Sequence, residues 1–240
     1  MARTPGTARA QNRAALTADI KATARRHLAE VGAPALSLRA VARDLGMVSS
    51  AVYRYFESRD ALLTALIVDA FDAVGVAAEK AMEGTPNDVL VRWRAVATAI
   101  RDWAVANPHD YALVYGSPVP GYRAPEDTIT PAARVSLVML RILEDGVASQ
   151  QIDTAPTSRV PRAVHADLAR LRDLAAPGVP DEVLSRGLSL WTGLFGAISY
   201  ELFGHFHRVI DDYDVFFDHQ IRRAGTYLVT GPAADARSPA

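Results

Sequence analysis

Half of the 240 residues are hydrophobic, enough to bury the core of one large domain or two small ones, which excludes a mainly disordered chain. Cysteine is absent, which removes disulfides, thiolate metal sites, cysteine nucleophiles and thiol redox sensing, and fits a cytoplasmic address. The net charge of −1 conceals a division, because residues 1–60 hold ten Lys and Arg against five Asp and Glu, while the remainder holds sixteen against twenty-two.

A basic head on an acidic body points to a polyanion that only the head approaches. The plainer alternative is a solvated, arginine-rich helix end. The first thirteen residues lack an apolar h-region, and no window approaches the roughly 18 apolar residues of a membrane span, so neither export nor membrane insertion is expected.

Apolar residues recur at helical spacing along the chain and alternating Val/Ile/Thr runs are missing, which predicts an all-α fold. A first helix is expected over 12–31, with Leu16, Ile20, Ala24, Leu28 and Val31 on one face and Gly32 to Pro34 ending it. Short helices follow over 37–45 and 49–56. A long fourth helix starts at Ser58, whose hydroxyl can cap it, and carries Leu62, Leu66, Ala70 and Val74 inward. Thr85-Pro86, Asn107-Pro108 and Thr130-Pro131 each place a capping residue before proline and open helices five, six and seven. Residues 117–125 and 150–161 are proline-broken loops. The final helices are expected over 181–207 and 212–228, before a Gly/Pro/Ala/Ser tail.

The segment 36–63 carries the most specific signal. Leu38, Val41, Ala42 and Leu45 form one helix face, Gly46 supplies a residue that tolerates positive φ at a sharp turn, and Met47 and Val52 plug the space beneath. Leu38-x-x-Val41-Ala42, Leu45-Gly46, Val52-Tyr53-Arg54-Tyr55-Phe56 and Ser58-Arg59-Asp60-Ala61-Leu62-Leu63 resemble the DNA-binding region of the TetR/AcrR family of regulators, over about 14–74. Residues 191–205, with Phe203-Gly204-His205, resemble a ligand-sensing domain found in part of that family.

The resemblance implies a division into an N-terminal arm and three-helix helix-turn-helix domain at 1–60 and a larger helical ligand-binding and dimerisation domain at 61–230; the composition of the tail at 231–240 predicts disorder. It places Tyr53 and Arg59 at phosphate-contacting positions, which fix register, and Arg39 where a side chain reaches a base edge. Ser49, Ser50, Ala51 and Tyr55 would face the major groove, and Ser37 joins the DNA-facing set. Arg54 stays open between a phosphate contact and a solvated salt bridge. For Tyr53 and Tyr55 the alternative is ordinary aromatic core. Many members carry Ser or Thr and then Pro-Gly after the turn. Here Val48, Ser49 and Ser50 stand there, which moves the expected cap of the recognition helix to Ser49 or Ser50.

In the body, Trp93, Trp103, Tyr111, Tyr115, Met139, Trp191 and Phe195 sit on apolar helix faces. The resemblance implies an effector cavity in this region; plain core is the alternative. Glu201, inside an apolar stretch, needs a partner if buried, and either orients a polar ligand group or pairs with an arginine such as Arg222 or Arg223. His205 and His207, two apart, do not share a helix face as metal ligands would. No metalloprotease, Walker A, nucleophile-elbow or dinucleotide motif is present, so no catalytic residue, cofactor or metal is assigned.

Gly187, Gly193, Gly196, Ala197 and Gly204 interrupt the penultimate helix, and close approach of another helix would offset their cost. With Val215, Phe216, Ile221 and Tyr227 they predict a homodimer through the last two helices, the alternative being packing inside one subunit. The function expected is a repressor released from a palindromic operator in double-stranded DNA by a small, mostly apolar effector. The alternative is a helical ligand-binding or protein-interaction module without DNA binding.

Overall fold

The computed structural model describes residues 5–155 and 160–230; the tail expected at 231–240 lies outside them. The described residues form α1 (Pro5–Val31), α2 (Leu38–Asp44), α3 (Ser49–Tyr53), α4 (Arg59–Glu83), α5 (Val89–Ala106), α6 (Pro108–Tyr115), α7 (Ile129–Ala148), α8 (Arg162–Ala175), α9 (Asp181–Leu202) and α10 (Tyr213–Thr230), with two short 3-10 turns and no strand among them. Two compact units result. One runs up to Phe71 and takes in Asn107–Pro131; the other holds Asp72–Ala106 and the chain from Ala132.

The first unit is a helical head. Ile20, Ala24 and Leu28 of α1 are buried with Leu38, Val41 and Ala42 of α2, Val52 of α3 and Leu62, Leu63 and Leu66 of α4. Ala42 has no exposed surface, as a crossing between α2 and α3 requires. Gly46 makes the turn with φ 65°, and a Cβ there would meet nothing within 4 Å, so the demand for glycine lies in the backbone alone. Ser58 caps α4 by accepting from the Ala61 amide at 3.0 Å. The recognition helix is capped differently from expectation: Val48 is its N-cap, without a side-chain bond, and Ser49 is already helical.

Residues 107–131 also build this unit. Arg25 of α1 lies 3.3 Å from Asp110 of α6, whose carboxyl is pushed up by burial while Arg25 opposes the shift. Tyr111 is fully buried, Tyr115 meets Phe71 edge-on at 5.9 Å, and the Tyr122 hydroxyl bonds Thr64 at 2.9 Å.

In the second unit α5, α9 and α10 pack together. Trp93 donates its indole N–H to the Ile221 carbonyl at 2.8 Å, and a Cβ on Gly225 would stand 2.9 Å from Trp93 Cδ1. Gly187 fits under Leu143 of α7, a Cβ there falling 2.5 Å from a Leu143 methyl. Arg186, fully buried, donates to the carbonyls of Leu228 and Asp153. Asp88 accepts from the Val91 amide at 2.9 Å, so α5 starts at Val89 rather than at Pro86. The penultimate helix stops at Leu202, short of 207, where Gly204 and Arg208 take positive φ. α8 stands where no helix is expected from the sequence, with Leu168 as its buried anchor.

The expectation that no window suits a membrane span needs correction, since α4 contains one with a mean hydropathy of 1.9. Its Leu62, Leu63, Leu66, Ala70, Val74 and Ala78 are buried in the protein, which makes it a core helix by packing.

Candidate nucleic-acid interface

α2 and α3, joined by the Gly46 turn, present the expected DNA-facing residues unequally. Arg39 is exposed on α2 and Ser37 is half-buried at its N-cap, where its hydroxyl makes no capping bond. On and just after α3, Ser50, Tyr53 and Arg54 are exposed, while Ser49 and Ala51 are half-buried. Five residues make a short helix, and Val52, fully buried, fixes which side of it stays outside. Val48, 71% exposed, begins the same surface.

Two residues of the expected set make contacts within the head. Arg59 turns back onto the head: it donates to the Ala33 carbonyl at 2.7 Å and pairs with Asp60 at 3.0 Å, while its Nε is buried without a hydrogen-bond partner. It clasps the start of α4 to the turn after α1. Tyr55 is half-buried against the core of the head, and the Arg13 guanidinium of α1 lies over its ring, 5.1 Å from the centroid.

Several charges elsewhere on the head are consumed internally. Lys21 and Arg25 converge on Asp69 of α4 at 2.8 and 2.9 Å. His27, buried on α1, meets Asp44 at the end of α2 at 2.6 Å, a hydrogen bond that holds the Asp44 carboxyl below its usual range. Among the described residues no carboxylate pairs with Arg9, Arg13, Arg39 or Arg54. Sequence reasoning missed Arg13 and the His27–Asp44 bond. A signal for Arg13 exists, since it stands seven residues before Ile20 on the helical stripe that the core uses.

The eight residues expected to line an effector cavity are divided between the two units. Tyr111 and Tyr115 belong to the first unit. In the second, the Trp191 and Phe195 rings meet at a tilt along α9 with centroids 4.8 Å apart, Met139 is buried in α7 and Trp103 is half-buried on α5. Glu201 is engaged by both oxygens with Arg101 of α5, at 2.7 Å each, rather than with Arg222 or Arg223. Arg222 pairs with Asp218 instead. A groove of about 710 Å³ runs between α5 and α10, lined by Leu90, Trp93, Arg94, Asp102, Ile221 and Gly225 among others. Of the eight expected residues, Trp93 alone lines it.

Known proteins share both the head and the body. Residues 20–66 match the family described as bacterial regulatory proteins, tetR family, and residues 93–224 match the tetracyclin repressor-like C-terminal domain. The chain belongs to the TetR family. The HTH-type transcriptional regulator Rv1816 of Mycobacterium tuberculosis is 42% identical over 215 residues, 86% of this chain and 89% of that protein. Its counterpart Mb1846 of Mycobacterium bovis matches to the same extent. The crystal structure of SCO4313 superposes with a TM-score of 0.74 at 34% identity, covering 89% of this chain and 97% of that one. The fold recurs in the TetR family regulator PfmR of Thermus thermophilus, at 20% identity and a TM-score of 0.55, covering 88% of this chain and 96% of that chain. The protein is a TetR-type DNA-binding transcriptional regulator with an N-terminal helix-turn-helix domain and a larger helical domain after it.

Proposed function

We propose that this TetR regulator is a repressor that binds a palindromic operator as a homodimer and is released by a small, mostly apolar effector. Ser37, Arg39, Ser49, Ser50, Ala51, Tyr53 and Arg54 form the DNA-facing set, Arg39 reading a base and Tyr53 and Arg54 holding phosphates. The observation that carries this assignment is the position of two unpaired cations: Arg39 on α2 and Arg54 at the end of α3 are exposed with no carboxylate partner among the described residues, whereas Lys21, Arg25 and Arg59 are bound within the head. Charge left uncompensated on that surface is available to phosphate.

Dimerisation through α9 and α10 is supported by their glycines. Gly187 packs against Leu143, but a Cβ on Gly193 or Gly196 would meet nothing within 4 Å of its own chain. Packing within the subunit therefore accounts for the first and not for the other two. Leu188, Phe203, Val215 and Tyr227 are exposed on or beside the same helices. A two-fold interface would bury them and present two heads to a palindrome. For the effector, the groove between α5 and α10 has the volume and the largely apolar lining of a small-molecule site.

Selection of binding sites from a randomised duplex library, followed by affinity measurements, tests the proposal. Wild type should prefer the selected palindrome over random DNA, and Arg39→Ala should lose about 1–3 kcal/mol of that preference at one base pair per half-site. Equal affinity of wild type for selected and random duplexes would overturn the DNA-reading assignment.

A further inference from the structure

α1 continues N-terminally beyond the core that it serves. Ile20, Ala24 and Leu28 are buried, Leu16 is half-buried, and residues 8–15 are all exposed, so these first turns gain no burial from the head. The stripe that buries Ile20 nevertheless reaches one more partner, because Arg13 lies on it and its guanidinium sits over the Tyr55 ring. Tyr55 stands two residues beyond the end of α3, next to the exposed Arg54. Arg13 is thus held next to the DNA-facing surface by an element outside the helix-turn-helix. Arg9 stands one turn earlier on the same side, also exposed.

A guanidinium stacked on an aromatic face keeps its N–H edge free to donate, and the ring restricts its position without neutralising it. No carboxylate among the described residues pairs with Arg13 or Arg9. A planar, oriented, uncompensated cation of this kind suits a phosphate oxygen.

We propose that Arg13, braced on Tyr55, is an additional DNA-phosphate contact of this regulator, that Arg9 supplies a second one turn away, and that Tyr55 is a positioning residue rather than a reader of the major groove. The contact would add affinity on any sequence and no base preference. It rests on the α2–α3 surface facing DNA, and the test separates the two.

Binding of the full-length protein to a library-selected duplex and to a random-sequence duplex is followed by fluorescence anisotropy between roughly 50 and 200 mM salt. Arg13→Gln should lower the slope of log affinity against log salt by about 0.9 per bound protomer on both duplexes, so that the fourfold salt increase weakens binding about 3- to 4-fold less for each bound protomer. Tyr55→Leu keeps the charge but removes the platform and should lower the slope in the same direction; Tyr55→Phe should match wild type. Arg13→Lys, which retains charge without the planar stack, should fall between wild type and Arg13→Gln. Arg13 is exposed, so Arg13→Gln keeps the test valid if Tyr55→Leu proves unstable by circular dichroism.

A wild-type slope and affinity in Arg13→Gln would overturn the contact. A reduced slope in Arg13→Gln with a wild-type slope in a folded Tyr55→Leu would overturn the bracing. Absence of salt-dependent binding in wild type itself would instead sink the assignment of the DNA-facing surface.

Discussion

Glu201→Ala should destabilise the second unit by about 2–4 kcal/mol, and this prediction decides between a structural and a ligand-holding Glu201. Arg101 is 8% exposed and donates to both Glu201 oxygens at 2.7 Å and to Asp214 at 2.7 Å, with the Phe217 ring 5.0 Å away. These bonds, that to Glu201 foremost, hold the guanidinium well above its ordinary range. Removing one member of a buried ion pair costs about 3–5 kcal/mol, chiefly because the other charge is stranded. Asp214 survives the substitution as a counter-charge, and its side chain is 86% exposed, so the expected loss is shifted down to about 2–4 kcal/mol. Replacing both partners, Arg101→Met with Glu201→Leu, strands no buried charge and should lie within about 1 kcal/mol of wild type. Urea unfolding followed by tryptophan fluorescence reads this unit selectively, since Trp93, Trp103 and Trp191 all lie in it. A loss below about 0.5 kcal/mol in Glu201→Ala, or a double variant as unstable as the single one, would refute the reasoning.

Gly46→Ala should cost the head about 1–2 kcal/mol through the φ of 65° alone, as open space rules out a clash; an unchanged melting temperature would contradict this. Gly196→Leu should leave the subunit folded and shift the sedimenting mass from dimer toward monomer at micromolar concentration, and a dimer of unaltered stability would remove α9 from the interface. Asp44, its carboxyl depressed by the His27 bond, should contribute stability that is full above the ordinary carboxylate pKa of about 3.9 and is lost as pH falls through the lower folded value. The difference in melting temperature between wild type and Asp44→Asn should therefore shrink as pH is lowered from about 5 to below about 4; a constant difference across that range would refute the linkage.

Elements with a continuous apolar stripe and a chemical stop signal could be read from the sequence. The Leu38-to-Val52 register, the Gly46 turn and the Ser58 cap all depend on neighbours within a few residues, so local pattern contains the physics. α8 could not be found this way, because it buries only Leu168 and its charged sequence resembles a solvated loop. The early turns of α1 escaped for the same reason, carrying no apolar stripe. Side-chain destinations were harder. Arg59 reaches carbonyls 25 and 26 residues back, and Glu201 finds Arg101 a hundred residues away, so charge-pattern reasoning identified the need for a partner but named the wrong arginines. Tyr111 and Tyr115 read as body aromatics because the sequence division at residue 60 has no way to show that 107–131 returns to the head.

The fit of Gly225 beneath Trp93 has an evolutionary reach. Since Trp93 also bonds the Ile221 carbonyl one turn earlier, the indole grips α10 at two adjacent points and fixes both its axial and rotational setting on α5. The two positions share one volume and are free to vary only as a pair. Among relatives, alanine or a larger residue at the position of Gly225 should therefore accompany a smaller ring or an aliphatic side chain at the position of Trp93. A lineage making that exchange would also free α10 to slide or turn on α5. The face that α10 carries outward would then be reset with it, so inherited changes in subunit pairing are expected to begin at this pair.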